Sequence, residues 1–431
     1  MSPSHLPSPV PAMSGRWTPL LTGALAAQAE VAVQDIARAL PARFPTGGLA
    51  GGSAGAALFY SYLAASGRGG EDRAHAHLDD AITSLGEEVQ WPTFYAGFAG
   101  IAWVVEHLQG RLVAASEEDL NEDIDGALEA HVGRVPWNLD YDLISGLAGL
   151  GAYALDRLHR PSGPRLLHHV LARLDETKTV LQEGVAWHTD PELLPNWQRE
   201  RDPGGYYNLG LAHGLPGVIA MLGQAWAAGF AEAGPLLEPS VTWLLAQRQP
   251  EGRGCCFGSV VSEGESTREF HPTRLSWCYG DLGLGVALLS AAQATGRGDW
   301  EGAALDVLRA SATRASEEQG IADAGLCHGA AGNAHLYNRV WQATGDPVFQ
   351  AAALRWFERA LAMRRPDRGI GGFQAFVPSM ADDATRNPWV DHPGLLEGAA
   401  GVGLALLAGL GGPEPAWDRC LMAALKPGGS P

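Results

Sequence analysis

HGLPGVIAML, residues 213–222, packs a histidine, two glycines three apart and an apolar run into ten residues. Gly-x-x-Gly followed by apolar residues returns six more times. It reads GGSAGAALF at 51–59, AGFAGIAWVV at 96–105, SGLAGLGAYAL at 145–155, YGDLGLGVALL at 279–289, HGAAGNAHLY at 328–337 and EGAAGVGLALL at 397–407. The first glycines (Gly52, Gly97, Gly146, Gly214, Gly280, Gly329 and Gly398) step by 45, 49, 68, 66, 49 and 69 residues. The shortest step holds two helices of ordinary length with their connections, and the longer ones leave room for inserted loops. A single Gly-x-x-Gly carries no information, but seven copies across the chain make a repeat. Within a unit, the first glycine is expected at a loop-to-helix junction that needs a positive φ or a close backbone approach. The second, one turn on, is expected to let a neighbouring helix pack tightly. Val218, Ile219, Met221 and Leu222 make the following run apolar nearly all round, which marks an inner, buried helix. Segments between motifs, such as 238–249, are amphipathic and fit outer helices, with Pro239 expected in a first turn. The reading is an all-α fold, an (α/α) toroid or barrel of about seven helical hairpins. One repeat cannot bury its own core, so the units are expected to fold as one body.

Working outward, a length of 431 residues at roughly 150 per domain suggests about three domains, and the repeat replaces that with one toroid over 18–425. Ahead of it, residues 1–17 are Pro/Ser-rich and read as a disordered tail without the charged-then-apolar layout of a signal peptide. Loop insertions are expected near 183–207, 250–274 and 364–393, on the side where the motif turns gather, as pocket walls. Their aromatic residues Trp187, Trp197 and Trp389 are candidates for a peptide-binding groove. The chain carries 30 Lys+Arg against 48 Asp+Glu, a net charge of −18, which argues against a nucleic-acid or polybasic membrane-surface role. No apolar run reaches the ~18–20 residues of a membrane span, so a cytoplasmic protein is expected. Five cysteines (Cys255, Cys256, Cys278, Cys327 and Cys420) are too few and odd in number for a disulfide framework.

Aligned on the first glycine, the two preceding residues are mostly apolar or small. The exceptions gather in repeats four to seven: His213, Cys278-Tyr279, Cys327-His328 and Glu397. Cys278 and Cys327 hold the same phase of adjacent repeats, so their thiols are expected to approach, with His328 beside them. Two thiolates and an imidazole suit Zn²⁺ and leave one coordination position open. The alternative is that these are packed turns around small buried hydrophobes. Cys255 and Cys256 fall outside the repeat phase and are given no metal role. Cys420 reads as packing in a C-terminal amphipathic helix. His335 and His392 lie near motifs and are assigned none.

WCYG at 277–280 and LCHG at 326–329, one repeat apart, with AHG at 212–214, resemble the signatures of the LanC-type lanthionine cyclases, over roughly residues 45–410. The resemblance implies an α/α toroid, one zinc ion per chain held by Cys278, Cys327 and His328, and thioether ring closure in dehydrated peptides. It implies active-site roles for His213, for Asp142 in YDLISGLAG, for Arg274 four residues before Cys278, and for Tyr279. Asp281 departs from the family, where Arg or a small polar residue often follows the motif, and this bears on substrate-side electrostatics.

The reaction so implied adds a precursor-peptide Cys thiol to the β-carbon of dehydroalanine or dehydrobutyrine. His213 would act as acid/base and Asp142 as its partner. Arg274 would sit at the enolate oxygen or hold Asp142. Asp142 as a helix N-cap and Arg274 as a surface residue are the plainer readings. The toroid uses nearly the whole chain, so a separate dehydratase is an expected partner. Two other readings share the centre: addition of a small thiol such as glutathione to a dehydrated protein, and a non-catalytic peptide-binding toroid with structural zinc. A terpene-cyclase-like toroid lacks its Asp-rich motif here.

Overall fold

Every Gly-x-x-Gly segment starts a helix, and what surrounds each helix follows from its composition. The computed structural model describes residues 17–87, 91–113, 118–262, 271–315, 319–378 and 387–426. The expected tail lies outside the described residues up to position 16. Trp17 itself is tied down: its indole N–H donates to the Ala408 carbonyl at 2.7 Å.

In chain order the helices are α1 (Gly23–Ala39), α2 (Ser53–Ala65), α3 (Glu71–Glu87), α4 (Phe98–Leu108) and α5 (Glu122–Val132). Then come α6 (Leu147–Asp156), α7 (Ser162–Thr177), the short α8 (Asn196–Arg201), α9 (Leu215–Ala227) and α10 (Gly234–Ala246). The last are α11 (Asp281–Thr295), α12 (Gly298–Ala312), α13 (Ala330–Thr344), α14 (Pro347–Ala362) and α15 (Ala399–Leu410). The seven motif helices are buried nearly all round; in α2 every residue from Ser53 to Leu63 is buried. They form a closed ring, α2–α4–α6–α9–α11–α13–α15 and back to α2. Apart from the short α8, which buries no residue, the others bury one stripe, as α14 does with Phe349, Ala352, Ala353, Trp356, Phe357, Ala360 and Leu361. Helices α3, α5, α7, α10, α12 and α14 back the inner helices that precede them. The seventh outer helix comes from the other end of the sequence: α1 packs on α15 and completes the (α/α) toroid. Among the described residues no helix is long and apolar enough to cross a membrane.

One local expectation needs correction, and a second is resolved between its two alternatives. Helix α10 starts at Gly234, so Pro239 lies in its interior, where it forfeits one i→i−4 hydrogen bond. The first glycines are required by space more than by φ. Six of them have extended backbone, and only Gly280 has a positive φ, +99°. At Gly97 a Cβ would lie 1.8 Å from the Trp91 carbonyl oxygen. The second glycine likewise serves its own turn: at Gly332 a Cβ would lie 1.8 Å from the Leu326 carbonyl oxygen.

The turns folded back in this way are tied to one another around the axis. Ala50 N–H donates to Tyr95 O (2.9 Å), Tyr95 N–H to Ile144 O (3.4 Å) and Leu143 N–H to Ala212 O (3.1 Å). Ala212 N–H donates to Cys278 O (3.3 Å), Cys278 N–H to Cys327 O (3.3 Å), Cys327 N–H to Leu396 O (2.7 Å) and Leu396 N–H to Ala50 O (3.1 Å). The residues two before the first glycine therefore meet in a closed ring. A C-terminal segment supports it. Trp417, Cys420, Leu421, Met422 and Ala423 are buried; the Tyr95 hydroxyl donates to the Cys420 carbonyl (2.6 Å) and the Trp277 indole N–H to the Leu421 carbonyl (2.9 Å). Cys420 lies in a 3-10 helix, Ala416–Leu421, in place of the expected amphipathic α-helix.

The inserted loops carry the short strands. Strands β1 (Thr179–Leu181) and β2 (Gly184–Ala186) form an antiparallel hairpin. Strands β3 (His188–Thr189), β4 (Tyr206–Asn208) and β5 (Val260–Ser262) make an antiparallel sheet that joins the first and second loops. Strands β6 (Ala375–Phe376) and β7 (Trp389–Val390) pair in the third.

Candidate metal centre

The hydrogen-bonded ring sets Cys278 beside Cys327, and the chain direction sets His328 next to both. One ligand atom from each lies within 4.8 Å of the others, and among the described residues this is the one group of three or more such donors. Both cysteines are buried and His328 is half-buried. The hydrogen bond from Cys327 is the main cause that holds the Cys278 thiol well below its ordinary pKa, and Cys327 is pushed up in return. Burial works against a charged His328, but its hydrogen bond with Cys278 prevails and raises its pKa. The Ser276 hydroxyl lies 3.5 Å from Cys278 Sγ. The donor set fits zinc: a tetrahedral ion with Zn–S of about 2.3 Å and Zn–N of about 2.0 Å separates its ligand atoms by about 3.5–3.8 Å.

A second pair stands beside it. His213, before the fourth first glycine, has Nδ1 at 2.6 Å from Asp142 Oδ2. Asp142 Oδ1 accepts the Ser145 N–H at 2.8 Å. The carboxylate accepts, so Nδ1 carries the proton and Nε2 is left as the acceptor. Burial would lower the His213 pKa, but the Asp142 carboxylate outweighs it and the net shift is upward, aided by Cys278. The N-cap of α6 is Gly146, so Asp142 is not the cap. The Tyr279 ring stacks with the His213 ring at 6.3 Å, and its hydroxyl accepts from Asn208 Nδ2 at 2.9 Å. Burial keeps that phenol protonated.

Arg274 is exposed and does not hold Asp142, whose partners are His213 and Ser145. Its charge reaches the other side of the site, where it opposes protonation of His328 after the larger effects of burial and Cys278. Asp281 is also placed differently than expected. It is buried, and its carboxylate accepts the N–H groups of Cys256 (2.9 Å) and Phe257 (3.0 Å), so it anchors a loop instead of facing substrate. Trp187 leaves the expected groove: it is buried, with its indole N–H on the Leu174 carbonyl at 3.0 Å. Trp197 and Trp389 are exposed. His335 is buried, with Nε2 2.8 Å from Asp418, and braces the C-terminal segment.

Sequence reasoning missed Asp140, Asn208 and Asp323. Burial chiefly, then the neighbouring Asp142, pushes the Asp140 carboxyl up to about 6. Asp323 accepts the N–H groups of Gly325 (2.9 Å) and Phe376 (2.8 Å), tying the third loop to the Cys327 turn. Each lies six residues before a first glycine, a phase that aligning the repeats one turn further back would have exposed.

Ring, turns and donor cluster define a seven-hairpin α/α toroid with a thiol–imidazole centre on its axis. Residues 46–422 match the family described as lanthionine synthetase C-like protein, and the chain belongs to that family. It is 28% identical over 284 residues to "Glutathione S-transferase LANCL1" of Danio rerio, covering 64% of this chain and 64% of that one. It is 26% identical over 258 residues to "Nisin biosynthesis protein NisC" of Lactococcus lactis subsp. lactis, covering 56% of this chain and 60% of that one. The chain thus spans less than two thirds of the length of these relatives. A solved structure, "Nisin cyclase", superposes with a TM-score of 0.67 at 20% identity, over 88% of this chain and 93% of that one, which establishes the shared fold.

Proposed function

We propose that the protein is a zinc-dependent lanthionine cyclase that closes thioether rings in a dehydrated precursor peptide. The observation that carries this reading is the convergence of Cys278, Cys327 and His328 within 4.8 Å, with the His213–Asp142 pair on the adjoining turns. Zinc held by these three residues would lower the pKa of a substrate thiol at the remaining position, and two thiolate ligands offset its charge so that the sulfur stays nucleophilic.

The remaining work falls to the chain. A sulfur–carbon bond forms at the β-carbon of the dehydroamino acid as the alkene pair moves onto the carbonyl oxygen. The thiol proton leaves, and a proton must return to Cα. His213, oriented by Asp142, handles a proton at Nε2. Arg274 offers a positive charge to the developing enolate oxygen. Tyr279 accepts from Asn208 and keeps its own O–H free to orient the substrate. The alkene is made when Ser or Thr loses water, the task of a separate dehydratase.

Metal analysis tests the reading. Purified protein is expected to hold about one zinc per chain, and Cys278→Ala and Cys327→Ala to lose most of it along with ring closure. Ring closure by wild-type protein stripped of metal would overturn it. Addition of a small thiol is the competing reading, suggested by the name of the Danio rerio relative. A dehydrated peptide without cysteine separates the two: the cyclase leaves it unmodified in the presence of glutathione.

A further inference from the structure

A group of arginines at the outer rim makes no ion pair among the described residues, although the charge of Arg314 is felt at the buried Asp281 carboxylate. Arg314 follows α12, and Arg355 and Arg359 stand one turn apart on α14. Like charges at i and i+4 on a helix repel. All three guanidinium nitrogens of Arg314 are shielded from solvent, and none has a hydrogen-bond partner. Arg355 donates to the Ala312 carbonyl (2.8 Å). Arg359 donates to Gln319 Oε1 (2.7 Å) and to the Ile321 carbonyl (2.9 Å), and lies 4.9 Å from the centre of the Trp356 ring. All these acceptors are neutral. Among the described residues no carboxylate pairs with any of the three arginines. Burial lowers the Arg359 pKa, and nothing offsets it.

The three line a cavity of about 400 Å³ together with Gln319 and Trp356. A second cavity, about 390 Å³, shares Arg314 but is lined by Glu251 and Asp281 as well as Arg248, so the uncompensated charge faces the first. A withdrawn, unpaired charge is costly, and folded proteins ordinarily supply such a group with a partner or an ion. The chain as a whole carries −18, so this is no sample of a generally basic surface. Gln319 also borders the candidate site, because its carbonyl accepts the N–H of Leu275, next to Arg274, at 2.9 Å.

We infer that Arg314, Arg355 and Arg359 form an anion-binding site for carboxylate or phosphate groups. Guanidinium forks pair with both in bidentate fashion. Three arginines around one cavity suit more than one carboxylate, so an acidic stretch of a peptide is one source of the ligand; free phosphate is the other.

The test titrates the full-length protein with hexaglutamate and with inorganic phosphate at low salt, beside Arg355→Gln/Arg359→Gln. Hexaglutamate is expected to bind the double variant about tenfold more weakly or worse, and salt to weaken its binding to wild type. The unfolding midpoint is expected to hold. Phosphate binding that the double substitution abolishes, with no binding of hexaglutamate, upholds the anion site and overturns the peptide source. No binding of either probe, or binding that the substitutions leave unchanged, overturns the site. Arg314→Gln, on a different element, gives the same readout should the double variant fail to fold. Direct binding is measured throughout, so failure here is distinct from failure of the cyclase reading.

Discussion

His213 and Asp142 come from turns of adjacent repeats and meet only because the axial hydrogen bonds bring those turns together. Neither belongs to the Cys278, Cys327 and His328 cluster. Removing the imidazole should therefore leave the metal in place and slow the proton transfer. His213→Asn is expected to keep wild-type zinc content and to lose about 10²–10⁴-fold in the rate of ring closure. Elemental analysis and the disappearance of free peptide thiol check the two halves separately. Zinc lost with the imidazole would mean that His213 is a ligand and that its assignment as acid/base is wrong.

At the scale of one turn and its helix, glycine is demanded where another backbone occupies the Cβ position. Gly332→Ala would put a methyl group 1.8 Å from the Leu326 carbonyl oxygen, one residue before Cys327. It is expected to destabilise by about 1–3 kcal/mol and to weaken metal retention. Gly302, on the exposed face of α12, has no such neighbour, and Gly302→Ala is expected to stabilise by about 0.5–1 kcal/mol. Urea denaturation of both variants is the check, and equal effects would refute the spatial account of the motif. The repeat phase was legible because each unit needs the same two glycines, so Cys278, Cys327, His328 and His213 stood out against small or apolar equivalents. Asp140, Asn208 and Asp323 hold a common phase too, six residues before the glycine, but they precede only three of the seven motifs and lie outside the Gly-x-x-Gly segment on which the repeat was aligned. Trp187 misled for a related reason: a loop aromatic and a buried one look alike until the neighbouring helix, here α7 at Leu174, is in place. The closing role of α1 was hidden because hairpin order in the chain suggests an outer helix after each inner one.

Closure of the ring makes stability a property of the whole molecule, since each inner helix is buried by two neighbours and an outer partner. Groups that resist protonation anywhere in it therefore act on the same unfolding equilibrium. His77 on α3 is buried and stacked on Tyr60, with rings 5.4 Å apart, and neither ring nitrogen has a partner. Burial, then the charge of Arg73, lowers its pKa, with Asp80 opposing. His107 on α4 is lowered further, chiefly by burial and then by Arg419 and Arg111. Above the unfolded value of about 6.5 both states hold these rings neutral, and pH has no effect through them. Below it the unfolded chain takes up protons that the folded chain refuses, so stability falls as pH falls toward the folded pKa values. The slope is at most about 1.4 kcal/mol per pH unit for each histidine. Phe substitutes for the His77 ring without breaking a hydrogen bond, so His77→Phe is expected to fold and to flatten the decline between about pH 6.5 and 5 by up to one proton's worth. Urea midpoints across that range give the two slopes. Parallel lines for wild type and variant would show that His77 is protonated in the folded ring, and that its place between Tyr60 and Phe44 carries no acid sensitivity.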